Sequence, residues 1–186
     1  MPLTINLAPY DRTFGQNGMW CTPNVGYTTG TVVAGGSTAR WARFFPTRNM
    51  SIVKIGFVTT VAATNDDACD VALYNAAGTL LTSSGSTSGK MNATAGAQTV
   101  AITATALTAG TAYYAALCYG TVGGTAATLA TFLPPASNAN TALMFGSGLG
   151  AAETAVKNAA FPLATQFPTF TIASTTTVFA LAVLES

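Results

Sequence analysis

Three of the six carboxylates in this chain, Asp66, Asp67 and Asp70, fall in one short segment beginning at Asn65. Calcium takes roughly six to eight hard oxygen ligands, often from one loop, so a cation could draw on such a cluster. The EF-hand order of ligands and glycine is missing, however, and a solvated acidic loop explains the same residues. A carboxylate pair can also serve as acid and base on a glycoside. That role needs a cleft and an apolar wall to raise one pKa, and the sequence shows neither. Histidine is absent, which excludes Ser-His-Asp triads, histidine metal sites and pH switching near neutrality. Cys21, Cys69 and Cys118 are far apart and form no CxxC pair, so zinc and thioredoxin-like chemistry are not expected and buried reduced thiols are. Gly35-Gly36 and the run from Gly146 to Gly150 lack the lysine and the strand-to-helix setting of a phosphate loop. The expectation is a non-enzymatic protein with no cofactor and no metal.

Binding chemistry has better candidates. Arg40, Arg43, Arg48 and Lys54 place four of the seven bases close together, with Trp41 among them. Arginine forks recognise carboxylates, so Arg40, Arg43 and Arg48, joined by Trp20 and Trp41, are the expected partner-binding residues. Ordinary strand-edge charge, which discourages aggregation, is the competing explanation. Trp20, Trp41, Tyr113, Tyr114 and Tyr119 would suit a sugar-stacking platform, although core and interface packing accounts for aromatics more often.

The elements that must position these residues follow from composition. Charged residues are 7% of the chain and apolar ones 49%. Disordered chains have the opposite balance, and a nucleic-acid binder needs a denser basic face than seven bases provide. Apolar runs such as Val178 to Leu184 are far shorter than the roughly 18 to 20 residues of a membrane helix. The start, Met1-Pro2-Leu3-Thr4-Ile5-Asn6, has neither the basic nor the apolar region of a secretory signal. Neither nucleic acid nor membrane is expected as a partner.

Short strand-like runs alternate with Gly, Asn, Asp, Ser and Pro punctuation. The pattern predicts strands over Thr38 to Phe45, Ser51 to Val61, Cys69 to Tyr74, Thr79 to Thr82, Gln98 to Thr105, Thr111 to Tyr119, Thr125 to Phe132 and Thr175 to Leu184. Asn75 to Gly78 and Leu107 to Gly110 read as turns. Ser83 to Gly96 reads as a long exposed loop, and Ala151 to Ala160 as a short helix-like window. An all-β, antiparallel two-sheet sandwich, jelly-roll-like, is expected over residues 37–186. Residues 1–36 are expected to be an extended N-terminal arm. Leu3, Ile5, Leu7, Tyr10, Phe14, Trp20 and Tyr27 load it with apolar groups, while Pro and Gly break it too often for a regular strand or helix. Such a segment is expected to order against a surface, preferably that of another subunit.

Three blocks carry a resemblance. They are Arg43-Phe44-Phe45-Pro46-Thr47 with Met50 to Phe57, then Val71 to Leu81 with its Leu73-Tyr74 and Gly78, then Leu107 to Leu117 with Gly110 and Tyr113-Tyr114. In this order they resemble small β-sandwich domains of structural proteins in tailed bacteriophages. The resemblance covers residues 40 to 120 and implies a virion structural protein, made in the host cytoplasm, most plausibly a capsid decoration or cement protein. The implied partners are the major capsid protein or other virion proteins, and a homo-oligomer with a trimer favoured over a dimer. A tail-fibre or tail-associated carbohydrate-binding module is the alternative it implies.

Overall fold

The computed structural model describes residues 18–20, 27–32, 38–65, 68–91, 94–120, 124–132, 154–158, 178–179 and 181–185. Among these residues the chain is all-β. The strands are β1 (Gly18–Trp20), β2 (Tyr27–Val32), β3 (Thr38–Phe44), β4 (Met50–Val61), β5 (Cys69–Asn75) and β6 (Leu80–Ser83). They continue as β7 (Gly96–Leu107), β8 (Tyr113–Tyr119), β9 (Thr128–Phe132), β10 (Thr154–Asn158), β11 (Val178–Phe179) and β12 (Leu181–Glu185). Two antiparallel sheets result, as the strand pattern predicts. The larger runs β1-β12-β4-β9-β11, with β2 added at β9 and β7 at β4, and the smaller runs β10-β3-β8-β5-β6. The connections from β3 to β4, β4 to β5, β6 to β7 and β7 to β8 all cross between the sheets.

β4 organises the larger sheet because it pairs along its length with β7 on one side and with β12 and β9 on the other. Its buried residues change parity, from Met50 and Ile52 to Ile55, Phe57 and Thr59. A register shift against both β7 and β12 sits between Ile52 and Lys54. One extra residue there, Val53, turns the second half of the strand over and keeps both halves facing inward. Opposite them, Phe44, Val71, Leu73, Leu117 and Tyr119 of the smaller sheet fill the same core.

Two turns close as their residues require. Asn75 Oδ1 accepts hydrogen bonds from the Ala77 and Thr79 amides at 3.0 and 2.9 Å. Gly78, at a φ of 79°, completes the turn into β6. At the other end, the Thr108 amide donates to the Tyr113 hydroxyl at 3.0 Å and the Gly110 amide to the Pro46 carbonyl at 2.8 Å. The Ala109 amide reaches Asn49 Oδ1 at 2.9 Å. The β7–β8 connection is thereby strapped to the β3–β4 connection.

Three expectations are corrected. Thr154–Asn158, inside the helix-like window, is strand β10, because the edge of β3 offers it a five-residue antiparallel register; the rest of Ala151 to Ala160 lies outside the described residues. Ser83 to Gly96 is not simply an exposed loop: Met91 is fully buried in the core, and Thr87 bridges to Cys69. Within residues 1–36, Gly18–Trp20 pairs with β12 and Tyr27–Val32 with β9. Two parts of the stretch read as an arm without regular strands are therefore strands of this chain's own sheet.

Phe57 is 1% exposed at the centre of β4. Phe57→Ala is expected to lower unfolding free energy by about 3 to 5 kcal/mol in urea titrations; a loss below about 1 kcal/mol would mean that this part of the core is loosely packed. Deleting residues 1–36 strips β12 and β9 of strand partners, so a lower urea midpoint is expected. An unchanged midpoint would show that β1 and β2 contribute nothing to the fold.

Candidate functional site

The outer face of the smaller sheet gathers several residues singled out from the sequence. Antiparallel register fixes three rows across it. One runs Lys157, Ala39, Cys118, Asp70; the next Ala155, Trp41, Ala116, Ala72, Ser83; the third Arg43, Tyr114, Tyr74, Leu80. Small residues form the floor, and Trp41 and Tyr74 meet over it with ring centroids 5.0 Å apart at 59°. Ala39, Trp41, Ala72, Tyr74, Ala116 and Cys118 form a second buried cluster, separate from the core between the sheets.

Asp70 is fully buried on this face. Ser83 and Ser84 donate their hydroxyl protons to its Oδ1 at 2.8 and 3.1 Å. The two serines are fixed in turn: the Val71 amide donates to Ser84 Oγ at 3.0 Å and the Gly85 amide to Ser83 Oγ at 2.9 Å. A buried carboxylate is tolerable only with such donors. Asp70 therefore belongs to a β5–β6 polar knot. Asp66 and Asp67, its expected companions in a cation site, lie outside the described residues. Among the described residues no group of three or more Cys, Asp or Glu is placed to hold a metal.

Burial, then the charge of nearby Asp70, pushes the Cys118 thiol from 9.0 up to about 11. Burial and the same carboxylate also raise the Tyr74 hydroxyl well above its ordinary value. A protonated, enclosed thiol is a poor nucleophile. Cys69 and Cys118 sit on neighbouring strands but on opposite faces of the sheet, one in each buried cluster, and both are free thiols. Cys21 lies outside the described residues.

The expected partner-binding residues do not form one patch. Trp41 is 3% exposed. Arg43 is half-buried, with its guanidinium carbon 5.6 Å from the ring centroid of Phe45, an exposed aromatic. Arg48, exposed, donates from Nη1 to Glu185 Oε1 at 2.8 Å and from Nη2 to Oε2, clamping the β3–β4 connection to the end of β12. By register, Arg40 is opposite Leu117 and Val156. Trp20 is opposite Ala182, in the larger sheet. The five aromatics of the sugar-platform reading are divided as well. Tyr113 and Tyr119 belong to the core, while Trp41 and Tyr114 belong to the outer face.

Sequence reasoning missed Asp70 as an interior group and Ser83 and Ser84 as its donors. The available signal was the alternation Asp70, Ala72, Tyr74 in a strand apolar at both parities.

An antiparallel β-sandwich with a second buried cluster on its smaller sheet is the class that this geometry defines. Residues 41–178 match a family described as a domain of unknown function, DUF4082, and the chain belongs to that family. Comparison with curated proteins returns no match.

The thiol gives a pH test. Its pKa is raised in the folded state, so the native protein holds a proton that the unfolded chain releases. Stability is expected to be level below pH 9 and to fall between pH 9 and about 11, with Tyr74 steepening the loss above pH 10. In Cys118→Ala the fall in urea midpoint across that window should be shallower. An identical slope would mean that the thiol is not linked to unfolding.

Proposed function

We propose that the chain is a non-enzymatic structural protein of a tailed-bacteriophage virion, a decoration or cement protein that binds the capsid shell and associates with itself. The observation that carries this reading is the uncharged exposed side of β7. In β7 the exposed residues are Ala97, Ala101, Thr103, Ala104 and Ala106, and burying such groups against a neighbour costs little, since no charge must leave water. The three sequence blocks that resemble phage sandwich domains support the same assignment, and their strands and turns fall on β3 to β8. The family match, to a domain of unknown function, points to no particular activity. The carbohydrate-module alternative draws less support, because its aromatics are divided between two faces of the smaller sheet.

Attachment to purified shells tests the assignment. The chain is expected among the proteins of purified virions, and added protein should saturate shells that lack it. Absence from virions together with no retention by shells would overturn the assignment. Strong, selective signals on a glycan array would favour the tail-fibre module instead.

A further inference from the structure

β7 ends the larger sheet on one side and, among the described residues, pairs only with β4. Natural edge strands are blunted by lysine, proline, bulges or covering segments, because free amides and carbonyls recruit other strands. β7 reads Gly-Ala-Gln-Thr-Val-Ala-Ile-Thr-Ala-Thr-Ala-Leu, without charge or proline. It carries one protective device. The register jumps from Thr105 opposite Ile52 to Ala101 opposite Lys54, so residues 102–104 bulge from the ladder. Gly96–Ala101 remains in unbroken register with β4 over Thr59 to Lys54. That leaves six uncharged residues in regular extended pairing at a sheet edge.

The side chains of this segment are self-complementary. Gln98 is half-buried and Val100 buried on the core side, whereas Ala97, Thr99 and Ala101 occupy the outer side and are exposed or half-exposed. If two such strands meet antiparallel about Thr99, Thr99 lies opposite Thr99 and Ala97 opposite Ala101. Threonine pairs across strands are favourable, and alanines leave nothing to obstruct the approach. No like charges face each other, as they would if position 99 on the axis held a lysine or a carboxylate.

We propose that the Ala97–Ala101 edge of β7 pairs with the same edge of a second copy, joining two larger sheets into one across a two-fold axis at Thr99. The contact is isologous, each copy giving and receiving the same hydrogen bonds. It does not depend on the virion assignment and would operate in any setting of the chain. Five residues of strand pairing, Ala97 to Ala101, make a small interface, so association depends on concentration.

Sedimentation of the full chain over a wide concentration range tests the contact. The expected species at high concentration has twice the mass of the 18.8 kDa chain. Thr99→Lys and Thr99→Glu each place like charges against one another at the two-fold axis, and each should weaken association about tenfold or more. Mixed in equal amounts, the two variants should associate again, because lysine then faces glutamate. Circular dichroism of each variant checks that the sandwich is retained, and the mixing step separates a lost contact from a lost fold. A monomer at every concentration, a three-fold mass, variants that associate like the parent, or no recovery on mixing would each overturn the proposal.

Discussion

The central strands of the smaller sheet, β5 and β8, are buried on both faces, and that constraint governs much of the rest. From Cys69 to Tyr74 every residue of β5 is buried. One set, Cys69, Val71 and Leu73, faces the core, while Ala72 and Tyr74 join the second cluster. A strand in this position must be apolar at both parities, and a polar residue in it must bring its own partners. Asp70 does so through Ser83 and Ser84, which ties β6 and the residues after it to β5. The paucity of charge follows partly from this arrangement, since two buried layers leave few positions where a charged group meets water.

Most strands were legible because their signals are local. Pro46 ends β3, the inward row of β4 is visible in Ile52, Ile55 and Phe57, and Asn75 with Gly78 announces the turn into β6. What escaped depends on distant partners. Thr154–Asn158 contains Ala and Lys, good helix formers, but an open edge on β3 outweighs that preference. Met91 sits in a Ser/Gly/Thr stretch that looks solvated, yet its side chain closes the core. Gly18–Trp20 and Tyr27–Val32 are short and interspersed with glycine at 18, 26 and 30, so nothing nearby in sequence marks them as strands.

The candidate site was legible by type and not by arrangement. Arg40, Trp41 and Arg43 do fall on one strand, β3. Arg48 looked available for a partner, but its counter-ion, Glu185, is at the far end of the chain and no local pattern connects them. Parity in β8 separates Tyr113 and Tyr119 from Tyr114, so the division of the aromatic group was readable once the strand was accepted. The enclosed Cys118 thiol and serine-bound Asp70 are suited to holding strands together.

Native-state hydrogen exchange addresses the double burial of the smaller sheet most directly. Amides of Cys69–Asn75 in β5 and Tyr113–Tyr119 in β8 should exchange only through global unfolding, with opening free energies equal to the stability found in denaturant. Those of the exposed strand β7 should open more readily. Exchange of β5 and β8 through smaller openings, as fast as that of β7, would contradict a sheet sealed on both sides.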